Sequence, residues 1–452
     1  MLLKTLLPLL LTLPALLASP QYKKPTPQPP AGFVYPKGRE LFLDGKKWYF
    51  AGTNTYYLYY AEREDVDALF ADAKKLGLKV VRTWLFSDGV GDEKLNEKGE
   101  IIWFQRMNTT TKQIEYNDNV DSGIGRFDYV IASAKKHGIK VLPVFTNNWR
   151  NFGGIDWYVG AFNQTGHQVG YHSDFYQYEP IKAAYKKYVS WILNRTNTIT
   201  KTKYKDDPTI FGWELVNEPR CKGDGTPWST PNPAVCSGTS KVIVNWVDEM
   251  STHLKSLSKH HLVLVGDEGY FNRPSGPSYN YCWSDLWDGS SGSDFEAFLK
   301  LPNIDVGTFH SYFDDAWVQD DYQYYNQNKF PGADLDPYFS NNTLTWIREH
   351  DAAGKKIGKP VILEEIGVPY LVGYSGYNFG FDERRVNDMP KFNDAVYKSG
   401  LAGSLYWQLN SKWKSSPTGW YQGVDSHSVF INSPEIDIVI TNHAKKMASK
   451  NK

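Results

Sequence analysis

The sequence predicts a (β/α)8 barrel, in which eight parallel strands alternate with helices and every strand points its carboxyl end at one mouth. Three observations lead there. Eight short apolar runs of strand character alternate with amphipathic stretches along nearly the whole chain. The 452 residues suit one such barrel with long loops, since these domains run from about 250 to over 400 residues. Polar and aromatic residues gather just beyond the strand ends, where a barrel carries its function.

Taken in order, residues 1–19 combine a lone Lys4, a Leu-rich stretch and the small residues Ala18 and Ser19, the layout of a secretory signal. The stretch is short for a membrane span and is broken by Pro8 and Pro14. An extracellular protein with no membrane partner is therefore expected. Residues 20–32 are Pro-rich and read as an extended arm; residues 33–452 read as one domain. Its first segment, 33–46, with a turn at Asp44-Gly45, reads as a hairpin plugging the barrel bottom. Strands are expected at 48–54, 79–84, 140–146, 210–216, 262–266, 306–310, 360–365 and 403–408, with helices at 66–76, 127–137, 181–196, 242–256, 342–353 and 387–399. A doubly wound open sheet is the alternative; it calls for a Gly-rich phosphate turn after the first strand, and Gly52-Thr53-Asn54 is not one. Long loops at 272–294, 313–340 and 368–390 fall around the mouth.

Fifty basic residues balance fifty acidic ones, which argues against nucleic acid as a partner and for a neutral ligand. Aromatics make up 15% of residues, with 16 Trp and 30 Tyr; most must fill the core, but indole faces also stack on sugar rings. Three cysteines leave one unpaired in an oxidising compartment. Sequence does not fix the pair, and Cys221 with Cys236 is preferred because it staples a Gly/Pro-rich loop, leaving Cys282 over. Sequons at Asn108, Asn163, Asn194 and Asn341 are compatible with a secretory route. The ten histidines lack the spacing of a zinc centre. No metal and no cofactor are expected, and a monomer is the simplest state.

The chemistry is carried by Glu218, in Trp213-Glu214-Leu215-Val216-Asn217-Glu218-Pro219, and Glu365, in Leu363-Glu364-Glu365-Ile366-Gly367. Each closes an apolar run, so both carboxylates should emerge at the same mouth. Two facing carboxylates are the minimal equipment for cleaving a glycosidic bond with retention, one as nucleophile and the other as acid and then base. That division needs Glu218 protonated by burial and Glu365 held anionic, for which Arg82 and the Tyr312 hydroxyl are candidates. His310 is placed to relay or position a proton, and Asn217 to bind a sugar hydroxyl. Glu364 is the rival nucleophile; strand alternation points it away from the mouth, which leaves it a supporting role. Arg82 and Trp84, Asn148 and Trp149, and Trp407 complete the strand-end set and are expected to bind substrate. Singly, Arg82 reads equally well as a structural ion-pair partner, Trp84 and Trp407 as core aromatics, and His310 as a satisfied interior histidine.

These motifs, with Val81-Arg82-Thr83-Trp84, Asn147-Asn148-Trp149, Gly266-Asp267-Glu268-Gly269, Thr308-Phe309-His310-Ser311-Tyr312 and Tyr406-Trp407-Gln408, resemble glycoside hydrolase family 5, and more narrowly its fungal and plant β-mannanases. The likeness spans about residues 33–408, although Ile366 stands where such enzymes usually carry an aromatic. It implies a retaining hydrolase of β-1,4-mannosidic bonds acting on mannan or manno-oligosaccharides. Glu218 is then the acid/base and Glu365 the nucleophile, with Arg82, Asn217, His310, Tyr312 and Trp407 lining the subsite of cleavage. Arg220 resembles a residue binding sugar on the leaving-group side, and Trp149 one shaping the cleft. An exo-acting β-mannosidase, a β-1,4-glucanase, or a noncatalytic carbohydrate-binding protein on the same scaffold remain the alternatives.

Overall fold

The computed structural model describes residues 28–88, 94–225, 227–236, 241–273, 285–313, 336–369, 381–411, 425 and 427–452. Eight parallel strands form its centre: β1 (Phe50–Asn54), β2 (Val80–Trp84), β3 (Lys140–Val144), β4 (Gly212–Glu214), β5 (Leu262–Leu264), β6 (Gly307–Ser311), β7 (Val361–Ile366) and β8 (Gly403–Tyr406). They pair in the order β5-β4-β3-β2-β1-β8-β7-β6. The remaining seam, between β5 and β6, is bridged by the Asp305 N–H on Val263 O (2.9 Å) and the His310 N–H on Glu268 O (3.2 Å). The result is a (β/α)8 barrel. Apart from Lys140 at the start of β3, its strands are buried along their whole length, as a parallel sheet wrapped by helices requires.

All eight expected strands form, with ends trimmed by a few residues. The largest trim is at β4, where the run expected over 210–216 is regular only over Gly212–Glu214, because the chain beyond it turns to build the site. One irregularity matters more. Phe309 pairs with Leu363 but His310 pairs with Glu365, so Glu364 is an extra residue in β7. A bulge of this kind breaks the alternation of faces. Glu364 therefore turns into the barrel beside Glu365, and the expectation that it points away is corrected.

The main helices are α1 (Arg63–Lys75), α2 (Gly125–His137), α3 (Gly154–Gln164), α4 (Glu179–Asn194), α5 (Val242–Leu257), α6 (Phe295–Lys300), α7 (Asp336–Ile357), α8 (Phe381–Lys398) and α9 (Asn442–Ser449), and six of them fall at the expected positions. Of these, α3, α6 and α9 have no counterpart in the sequence reading. In α3, nine consecutive residues from Gly154 to Phe162 are buried, so no 3.6-residue stripe marks it. Two short hairpins inserted between β2 and α2, Lys94–Leu95 with Ile101–Ile102 and Gln105–Asn108 with Gln113–Tyr116, were also unannounced.

At the amino end of the barrel, strands Val34–Lys37 and Glu40–Leu43 form the expected hairpin. Val34 and Leu41 are buried against Phe50, Val80, Leu142, Phe211 and Leu262, residues near the starts of β1 to β5. The bottom is thus sealed by apolar packing, and polar groups collect at the other end. Cys221 and Cys236 are joined in a disulfide. Residues 1–27, Cys282 and most of the three long loops lie outside the described residues.

Candidate active site

Beyond β4 the chain makes the turn that presents Glu218. Its φ is +53°, a left-handed conformation that costs a non-glycine residue on the order of 1–3 kcal/mol and persists only where the surroundings impose it. Here they do: Asn217 N–H donates to Thr146 O (2.9 Å), Glu218 N–H to Gly266 O (2.7 Å) and Asn148 N–H to Asn217 O (2.9 Å). Gly266 cannot be replaced, since a Cβ there would stand 2.1 Å from Glu214 Oε1 and 2.4 Å from Val216 O, and its own φ is +90°.

Arg82, on β2 and fully buried, is the hub of the interior. Its guanidinium grips Glu214 through two bonds, Nε–Oε2 at 2.7 Å and Nη2–Oε1 at 2.6 Å. It also donates to Asn217 Oδ1 (2.6 Å), Asn54 Oδ1 (3.1 Å) and Glu365 Oε1, and Glu364 lies 3.8 Å away. Only arginine offers enough donors in a fixed fork for this set. Tyr312 donates its hydroxyl to Glu365 Oε2 at 2.7 Å.

His310 stands between the carboxylates. Nδ1 meets Glu218 Oε1 at 2.7 Å and lies 3.7 Å from Glu365 Oε2, while Nε2 is 3.3 Å from Glu364 Oε2. The other Glu218 oxygen takes the Trp149 indole N–H. An oxygen of Glu218, an oxygen of Glu365 and a ring nitrogen of His310 all lie within 4.8 Å of one another. Segments far apart in sequence are thereby brought within the span of one sugar ring, and the scattered histidines of the sequence do not announce that grouping.

Four glutamates, three of them buried and Glu218 partly exposed, surround two cations, so the carboxyl groups titrate as a coupled set. Burial, with Glu364 nearby, pushes Glu214 up to about 8 against the pull of Arg82. Burial likewise raises Glu365, assisted by the Glu218 charge and opposed by His310 and Arg82. Glu218 goes the other way: burial alone would raise it, but the His310 hydrogen bond and charge, with the Arg220 charge and the Trp149 hydrogen bond, together hold it down to about 2. His310 is held well above its ordinary value; burial disfavours the charge, but Glu365, Glu218 and Glu364 together overcome it. The sequence expectation that burial keeps Glu218 protonated at rest is corrected. Both shifts favour that proton on the imidazole, one hydrogen bond away.

Arg220, after the Glu218 turn, forks onto Glu268, with Nε–Oε2 at 2.6 Å, and donates to the Tyr270 hydroxyl at 2.7 Å. Its guanidinium lies 5.1 Å from the Trp149 ring. Trp407 donates its indole N–H to Asp425 Oδ2 (2.7 Å) and stacks on Tyr56 with centroids 5.8 Å apart and planes within 7°. Two of the residues expected to bind substrate are engaged with protein partners. Trp84 is only 4% exposed and backs Trp407 at 5.9 Å and Arg82 at 4.9 Å, a support rather than a face of the cleft. Asn148 is fully buried, its amide committed to Lys222 O, the Arg220 N–H and His172. Glu214, Glu268, Tyr270, Tyr56 and Asp425 received no role from the sequence. A glutamate inside an apolar strand was the signal available for Glu214.

A closed barrel whose mouth sets two carboxylates across an imidazole defines a glycoside hydrolase. Comparison narrows the class. Residues 31–397 match the family model described as glycoside hydrolase family 5, beta-mannosidase-like. A probable mannan endo-1,4-beta-mannosidase A of Aspergillus flavus is 32% identical over 442 residues, covering 96% of this chain and 94% of that protein. Mannan endo-1,4-beta-mannosidase 7 of Arabidopsis thaliana is 33% identical over 388 residues, 84% of this chain and 78% of that one. The crystal structure of an endo-1,4-beta-mannanase from Rhizomucor miehei superposes with a TM-score of 0.73 at 37% identity, covering 92% of this chain and 99% of that one. The chain belongs to glycoside hydrolase family 5. Among the described residues no helix is long and apolar enough to cross a membrane.

Proposed function

We propose that the protein is a secreted endo-β-1,4-mannanase that works by double displacement, with Glu365 as nucleophile and Glu218 as acid/base. The observation that carries this reading is the approach of the two carboxylates to within 4.8 Å, oxygen to oxygen, since retaining enzymes set their carboxyl groups about 5–5.5 Å apart and inverting ones roughly 6.5–9.5 Å. The mannan substrate is supported by the relatives, which carry that activity in their names.

In the first step Glu365 attacks the anomeric carbon while the bridging oxygen takes a proton from Glu218 and departs. Arg82 and Tyr312 orient the nucleophile and neutralise its charge, and Asn217 binds the hydroxyl next to the reacting carbon. His310 supplies the proton that Glu218 delivers, across their 2.7 Å bond. Once Glu365 is an ester its charge is gone; Glu218 then withdraws a proton from water, which attacks the same carbon and releases the sugar. Trp407 forms the platform under the reacting ring, Trp149 walls the cleft beside the acid, and Arg220 binds sugar on the leaving-group side.

Digestion of ivory-nut mannan, galactomannan and carboxymethyl cellulose tests the substrate. The expected products are manno-oligosaccharides of several lengths from the two mannans. Release of mannose alone marks an exo-acting β-mannosidase instead, and cleavage confined to the cellulose derivative marks a glucanase.

The charge distribution also predicts the pH profile. Glu365 must be anionic, so activity falls as pH drops through its raised pKa; the shared proton must be present, so activity falls again as pH rises through the raised pKa of His310. In His310→Asn the imidazolium no longer depresses Glu218, which then holds its own proton under the influence of burial and Glu365. Its pKa rises above the parent's, yet it stays below that of the lost imidazolium. The alkaline limb of kcat/KM is expected to move toward acid, and an unmoved limb would contradict the role given to His310.

A further inference from the structure

Behind the acid's turn lies a buried polar line that the reaction does not touch. Asp156, on α3, faces His172 with Oδ1 2.6 Å from Nδ1, and His172 Nε2 lies 2.9 Å from Asn148 Oδ1. All three side chains are 3% exposed or less. The line ends on backbone: Asn148 Nδ2 donates to Lys222 O (3.1 Å) and its Oδ1 accepts the Arg220 N–H (3.0 Å). Because that oxygen is an acceptor, His172 must donate from Nε2, and Asp156 holds the opposite edge of the ring. The Tyr176 hydroxyl pins Arg220 O at 3.0 Å and the Ser229 hydroxyl fixes Asp156 Oδ2 at 2.8 Å. The chain passes so close that a Cβ on Gly223 would sit 2.6 Å from His172 Nδ1 and 2.9 Å from Asp156 Oδ2.

Holding α3 against this turn needs only apolar packing, and three buried polar side chains are a costly substitute unless direction matters. We propose that Asp156, His172 and Asn148 are positioning residues that set Arg220, and so govern binding of the departing sugar. The inference rests on the reading of the cleft given above. With the line intact, Arg220 is anchored at its backbone by Asn148 and Tyr176 and at its guanidinium by Glu268 and Tyr270. Without it the backbone anchor loosens and the guanidinium no longer meets the sugar squarely.

Two substrates separate positioning from general damage. Mannotetraose needs the leaving-group side of the cleft, whereas 2,4-dinitrophenyl β-mannobioside carries no sugar there and its leaving group needs no proton. In His172→Ala, kcat/KM on mannotetraose is expected to fall about 10- to 100-fold, and on the aryl glycoside to stay within about threefold. His172→Gln, which keeps an N–H for Asn148, should recover much of the loss. If the alanine variant does not fold, Asp156→Asn is expected to show the same separation between substrates. Equal losses on both substrates, or no loss on either, overturn the inference. A parent enzyme that cleaves neither substrate overturns the proposed activity itself.

Discussion

Replacing Glu365 by alanine is expected to lower kcat on β-mannan by on the order of 10⁴-fold or more while leaving the protein folded. The chemical loss is large because no other group can occupy the covalent intermediate. Glu364 is adjacent in sequence, but it lies deeper in the barrel, near His310 Nε2 and Arg82, and is fully buried. The structural loss is small because Arg82 keeps Glu214, Asn217 and Asn54. Azide added to the variant should restore turnover of an activated aryl mannoside and give the α-mannosyl azide, since it enters from the face that Glu365 vacates. A variant retaining a tenth or more of the parent's activity would exclude Glu365 as nucleophile.

Removing the cation at the hub acts on stability instead. Arg82→Met leaves Glu214, Glu364 and Glu365 facing one another without their common partner, and stripping one member from a buried charge cluster costs about 3–5 kcal/mol. Urea unfolding should show a lower midpoint and a loss of unfolding free energy of that size. Arg82→Lys is expected to rescue little, because an ammonium cannot hold Glu214 through two parallel bonds while reaching Asn217 and Glu365. Adding Glu214→Gln to Arg82→Met replaces a buried carboxyl that has lost its partner and should recover part of the stability, a coupling that contacting residues show and distant ones do not. An Arg82→Met protein as stable as the parent would mean that the interior carboxylates are neutral without it.

The barrel and the placement of Glu218 and Glu365 at one mouth were legible in the sequence for the same reason. Buried parallel strands read as uninterrupted apolar runs, and a carboxylate at the end of such a run can only face the mouth. What escaped was whatever depends on contacts across strands. Glu364 was assigned the wrong direction because one extra residue in β7, invisible in a pattern of period two, turns it inward. Asn148 looked like a ligand from its place after β3, yet its amide is consumed by Arg220, Lys222 and His172, partners supplied by other segments. The resting proton was misplaced because burial was weighed for Glu218 without the imidazole that β6 brings to it. Composition had no means of showing that Tyr56 lies parallel to Trp407.

The central claim, that Glu365 forms the covalent bond while Glu218 stands across the same sugar, is tested most directly by trapping. A 2-deoxy-2-fluoro β-mannobiosyl fluoride should accumulate as an ester, and peptide mass spectrometry should place the added mass on Glu365. Label on Glu364 or Glu218, or inactivation without any covalent adduct, would contradict the account.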